Sequence, residues 1–213
     1  MAMDTGLRQR KKERLRAQIF EAAHGLFAKH GFDAVTVAAV ARAAEVSEPT
    51  VFSYFPTKED LFFGGLDSFE SHLVEAVERR PMGQAASAAF MEALLESARN
   101  LDDPQRIRAI AAASRLISGS TALQVREREI VARHTRGLAA VLAHESRAGE
   151  DDIEAVVVAN ALMGLHRGLV EHVRAQVRAG KAGSGLAAEF RRLARRGFGR
   201  LEKGLGTYAI KRK

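Results

Sequence analysis

The 213-residue sequence contains no cysteine. That excludes disulfides, thiol nucleophiles and cysteine-liganded zinc, and it fits a reducing compartment. The four prolines, Pro49, Pro56, Pro81 and Pro104, all stand at the expected edges of helices. Strand-like alternation and internal repeats are missing. We find no apolar run of membrane-spanning length and no signal-peptide pattern, so a soluble, cytoplasmic protein is expected. Enzyme signatures are also lacking. The stretch GKAGSG has no Walker spacing and no preceding strand, and there is no nucleophile elbow. His166 and His172 are six apart, so they miss the four-residue separation that puts two metal ligands on one helix face. Catalysis, a bound metal and a resident cofactor are therefore not expected.

What is present is helix. Apolar residues make up 46% of the chain, enough for a real core, and Ala, Leu, Arg and Glu dominate. Leu15, Ile19, Ala22, Ala23 and Phe27 recur at helical spacing over residues 10–29, and Gly31 in the HGF stretch suits a left-handed cap. Thr36 is an N-cap for a helix over 37–44, with Val40, Ala41 and Ala44 inward. Ser47 caps the next, with Pro49 in its first turn, and Pro56 stops it after Phe55. Thr57 caps a helix over 58–80. Further helices are expected near 84–99, 104–117, 121–146, 151–179 and 186–204. Asp102 and Asp103 head the 104–117 helix. Gly149 marks a break, residues 179–185 a flexible connection, and residues 207–213 a frayed tail.

Charge is unevenly placed. The net charge is +7, but residues 8–16 (RQRKKERLR) hold six basic side chains against one acidic, and residues 181–213 hold ten against two. Such clusters suit a polyanion or an anionic membrane surface, although each alone also fits a solvated face.

The stretch EVSEPTVFSYFPTKEDLF, residues 45–62, is the informative one. Val51 and Phe55, four apart, point inward toward Val40 and the first helix. Glu48, Pro49, Thr50, Phe52, Ser53 and Tyr54 are left on the outer surface. A short helix with small polar groups at its start fits a major groove, where first-turn side chains meet base edges. Ser47 and Thr50 are short enough for close approach, and Tyr54 can donate to a phosphate oxygen. Lys58, at the head of the next helix, is placed so that its ammonium and the helix N–H groups hold one phosphate.

Residues 19–62, from IFEAAHGLF through HGF, Thr36 and Val46-Ser47 to YFPTKEDLF, resemble the TetR family of bacterial transcriptional regulators. The resemblance implies an all-α protein. Residues 1–60 would form a three-helix helix-turn-helix DNA-binding domain with a basic arm over 1–12, and residues 61–213 a larger helical domain for effector binding and dimerisation. By matching position it implies DNA contacts from Ser47, Glu48, Pro49, Thr50, Phe52, Ser53, Tyr54 and Lys58. Thr36 and Val37 would offer backbone N–H groups to a phosphate. It further implies ligand-responsive repression, a double-stranded operator and a homodimer through helices 151–179 and 186–204, with the protein on the nucleoid when bound. Two departures stand out. Glu45 holds a turn position where the family usually has glycine, implying backbone strain. Phe52 replaces a common tyrosine, leaving apolar contact with a thymine methyl. Glu48 is open to two readings, an acceptor for a cytosine amino group or a helix-start charge favoured by the macrodipole.

The basic arm is expected to lie along the backbone or enter the minor groove. The ligand site is expected between the middle helices, from Phe90, Met91, Leu94, Leu116, Leu138 and His166. The family branch implied is one with acyl-CoA-like ligands, which points to an apolar, acyl-type effector; Arg115 or His134 would meet an anionic group. The rival reading is a membrane-surface or scaffold protein that uses its basic ends.

Overall fold

A computed structural model describes residues 2–146 and 153–204, with side chains outside 2–8, 65–69 and 146. The break expected at Gly149 and the tail over 207–213 lie outside the described residues. Among the described residues the chain is all-α, with α1 (Ala2–His30), α2 (Val37–Ala43), α3 (Glu48–Tyr54), α4 (Lys58–Glu78), α5 (Ala86–Glu96), α6 (Pro104–Gly119), α7 (Thr121–Ser146), α8 (Ile153–Arg178) and α9 (Leu186–Glu202). Most ends fall within three residues of those expected. The exception is α1, which runs back through the basic stretch to Ala2. Lys, Arg, Gln and Glu are good helix formers, and Gln9 Nε2 donates to Glu13 Oε1 one turn on at 2.8 Å. The basic stretch is thus part of α1, which starts well before the helix expected from residue 10.

Contacts divide the chain into two compact units, Met1–Ser68 with Arg115–Arg128, and Phe69–Ser114 with Glu129–Lys213. The first extends past the expected boundary at residue 60 because the α6–α7 corner joins it. There Ser120 caps α7, its Oγ accepting from Leu123 N–H (3.4 Å) and donating to Asp33 Oδ1 (2.8 Å). Arg126 grips Asp60 Oδ1 through Nη2 (2.7 Å) and Nε (3.2 Å). The core of this unit combines Ile19, Ala23 and Phe27 of α1, Val40 and Ala41 of α2, Val51, Phe55, and Leu61, Phe62 and Phe63 of α4. Within it His24 stacks on Phe62 (centroids 5.6 Å) with Nε2 3.2 Å from the Phe62 carbonyl, and burial pushes its pKa below the usual histidine range.

The second unit packs around one apolar cluster: Leu73 and Val77 of α4, Phe90, Met91 and Leu94 of α5, Leu138 of α7, Ala159, Leu162, Met163, Leu169 and Val173 of α8, and Leu186, Phe190 and Ala194 of α9. At Gly197 an added Cβ would run into Leu165 Cδ1, so a side chain there would require Leu165 to shift. At the start of the segment 179–185 the end of α8 is closed by Lys181 N–H, which reaches the Gln176 carbonyl at 3.0 Å. Asp102 Oδ1 accepts from Gly185 N–H (3.1 Å) and Ala187 N–H (3.0 Å) and so caps α9, while Asp103 alone caps α6 through Gln105 N–H (2.8 Å).

Over an 18-residue window α8 reaches a mean hydropathy of 1.4, long and apolar enough to cross a membrane by length and composition, with 33% of that window buried. Ile153, Val157 and Val158 are exposed near its start.

Candidate nucleic-acid interface

The interface is built by local caps. Thr36 is extended (φ −99°, ψ 155°) and its Oγ1 accepts from Ala39 N–H at 3.2 Å, which starts α2. First-turn N–H groups of α2, Val37 among them, have no intrahelical carbonyl to donate to. The turn closes by Val46 N–H to the Ala41 carbonyl at 2.9 Å, and Glu45 sits at φ 53°, in the left-handed region expected of it. Gln18 of α1 donates to the Ala44 carbonyl at 2.9 Å and pins this turn from beneath.

Ser47 then starts α3: its Oγ accepts from Thr50 N–H at 3.2 Å and shares a 2.7 Å hydrogen bond with Thr50 Oγ1. Val51 and Phe55 are buried at 0% and 2% exposure, whereas Phe52 is 46% exposed. Glu48, Pro49 and Ser53 are exposed, and Thr50 and Tyr54 half-buried. The helix therefore has an anchored underside and an open outer face, as the four-residue spacing predicts. Ser53 Oγ donates to the Thr50 carbonyl at 2.7 Å, so toward a ligand it offers lone pairs rather than a proton.

Lys58 departs from its expected role. Its Nζ donates to the Phe32 and Val35 carbonyls, both at 3.1 Å, and lies 4.2 Å from the Phe32 ring centre. Two of its three protons are committed to the α1–α2 loop. The head of α4 is also filled. Thr57 N–H donates to Asp60 Oδ2 (3.1 Å) and Asp60 N–H to Thr57 Oγ1 (3.2 Å), a reciprocal box that puts a carboxylate where a phosphate was expected. On α1, Arg10, Lys11, Lys12, Arg14 and Arg16 are exposed. Arg16 lies over the Phe55 ring at 5.0 Å.

Of the six residues expected at a ligand site, Phe90, Met91, Leu94 and Leu138 belong to the packed cluster of the second unit, and His166 is buried in that unit. Leu116 falls in the first unit, as does exposed Arg115; His134 is half-buried in the second. Sequence reasoning missed Glu70, buried at 1% exposure, whose Oε1 lies 2.9 Å from His166 Nε2. The signal was available: Glu70 stands in line with Leu73 and Val77 on the apolar stripe of α4.

Residues 19–64 match the family model described as bacterial regulatory proteins, tetR family. The HTH-type transcriptional regulator TcmR of Streptomyces glaucescens is 38% identical over 93 residues, covering 42% of this chain and 41% of that protein. The chain thus spans less than half the length of this curated relative. Among solved structures, NalD of Pseudomonas aeruginosa, the secondary repressor of the MexAB-OprM multidrug efflux pump, superposes with TM-score 0.56 at 21% identity over 87% of this chain and 97% of its own. FadR of Bacillus subtilis, solved with stearoyl-CoA, gives 0.52 at 17% identity over 85% of this chain and 97% of its own. These likenesses establish the fold.

Proposed function

We propose that this chain, a member of the tetR family of bacterial regulatory proteins through residues 19–64, is a cytoplasmic, homodimeric repressor that binds a duplex operator and releases it on meeting a small ligand. The observation that carries the reading is the two-sidedness of α3: Val51 and Phe55 are interred while Phe52 stands open. With α3 in a major groove, Ser47, Glu48, Pro49, Thr50, Phe52 and Ser53 face base edges, and Tyr54 donates to a flanking phosphate. Phe52 supplies apolar contact suited to a thymine methyl. The N-termini of α2 and the helical basic run of α1 take phosphates, and Lys58 has one proton left for that task.

The exposed apolar start of α8, with Gly164 and Gly168 opening onto free space, supports a symmetric dimer through α8 and α9, and hence a two-fold operator. The second unit takes the ligand, of apolar character; the stearoyl-CoA bound by FadR of Bacillus subtilis is consistent with that. Ligand binding shifts DNA affinity only as far as it prefers one spacing of the two reading helices.

The test uses Thr50→Ala and Phe52→Ala. Phe52→Ala should leave thermal unfolding within about 0.5 kcal/mol of the parent, Thr50→Ala should cost about 1 kcal/mol through loss of its bond to Ser47, and each should abolish retardation of the operator. Retained operator binding in both variants contradicts the reading. The composition of α8 and the arginines of α9 favour one rival, a membrane-surface protein, which predicts retention on anionic vesicles without duplex preference.

A further inference from the structure

Glu70 and His166 lie 96 residues apart, on α4 and α8, with both side chains 2% exposed and 2.9 Å between Oε1 and Nε2. Their surroundings are apolar. Leu73 and Val77 follow Glu70 on its own helix face, and Leu162, Met163 and Leu169 bracket His166, all within the one buried cluster. Among the described residues no donor reaches the other carboxyl oxygen of Glu70, Oε2, although that atom is fully shielded from solvent. Ser114 Oγ of α6 is in the same condition, at 2% exposure. It continues the stripe of Ile107, Ile110 and Ala111, which pack against the cluster.

An unmet buried oxygen is costly, about 1–3 kcal/mol and more where charge is involved. A core retained for stability alone favours an apolar residue at such a place. Oε2 offers lone pairs to a proton donor, and in a surrounding of low polarity it repels an anion. Met91 and Met163, unbranched and adaptable, stand in the cluster and can yield room to a guest.

We propose that Glu70, oriented by His166, is the polar end of a buried ligand site selective for apolar molecules with an ammonium head. It discriminates against free carboxylates. This rests on reading the second unit as the ligand-receiving one, and it narrows the effector away from fatty acids.

The experiment titrates the full-length protein, without DNA, with naphthylmethylamine, naphthalenemethanol and naphthoate. The chain has no tryptophan, so naphthyl emission is read without interference. The amine should bind at least about tenfold tighter than naphthoate, the alcohol between them. Glu70→Gln should reduce the amine's advantage over the alcohol to under about threefold. Naphthoate binding as tightly as the amine overturns the proposal, as does binding of none of the three, or an amine preference unaltered in a folded Glu70→Gln variant. Should that variant fail to fold, the ranking on the parent protein decides alone. A protein that ranks the amine first yet holds no duplex keeps this inference and loses the repressor reading; the reverse outcome does the opposite.

Discussion

The ammonium of Lys58 sits 4.2 Å from the centre of the Phe32 ring while donating to the carbonyls of Phe32 and Val35. A residue expected to face a phosphate instead ties the loop between α1 and α2 to the head of α4. Lys58→Met keeps the length of the side chain and removes the charge. It should destabilise the protein by about 1–3 kcal/mol, from two carbonyls losing a charged donor and one cation–π contact. Urea unfolding measures this. The salt dependence of operator binding should fall by about one counterion at most, and a larger fall with unchanged stability would return Lys58 to the phosphate role.

Glu45 carries φ 53° in the turn before α3. The left-handed region costs a side-chain-bearing residue about 1–2 kcal/mol, part of which glycine gives back through its freer unfolded chain. Glu45→Gly should therefore raise stability by about 0.5 kcal/mol, seen as a higher melting temperature. Glu45→Val, branched at Cβ, should lower it. A glycine variant that melts earlier would show that the Glu45 side chain contributes something its backbone position does not reveal.

Asp102 reaches across 83 residues of sequence to cap α9 at Gly185 and 85 to reach Ala187. Gly185, at the N-cap position, has no side chain with which to do so. Asp102→Ala should cost about 1–2 kcal/mol and Asp103→Ala about 1, each by loss of an N-cap. Hydrogen exchange should locate the first loss at the start of α9 and the second at the start of α6. Equal loosening at both places in either variant would refute the division of labour.

His24 has its pKa pushed down by burial, against smaller upward pulls from the Phe62 and Leu61 carbonyls. The folded state thus favours the neutral ring more than the unfolded chain does. Its contribution is present above the unfolded value, about 6.5 for a free histidine, and is lost as pH falls through the lower folded value. Stability should decline on acidification in that window, and the decline should be shallower in His24→Gln. Unfolding midpoints at a series of pH values provide the check; an unchanged slope in the variant would dismiss the ring.

The helix starts were legible because caps are local chemistry: Thr36, Ser47 and Thr57 each meet a backbone N–H three residues on. The two-sidedness of α3 was legible for the same reason, since Val51 and Phe55 need only helical spacing to share a side. Long-range partnerships were not. Nothing in the spacing of Asp60 and Arg126, 66 apart, or of Glu70 and His166, 96 apart, announces a contact. The helix was read only from residue 10, because no apolar stripe marks the residues before it that α1 includes. Likewise the four-residue rule that places Phe90 and Leu94 on one face says nothing of Leu116 belonging to the other unit.

The most direct test of α3 as a reader of base edges is selection of duplexes from a random pool on the purified protein, followed by competition against unselected DNA. A two-fold symmetric sequence should emerge, held at least about a thousandfold more tightly than random duplex. Equal retention of every duplex, or retention of none, would contradict that role for α3.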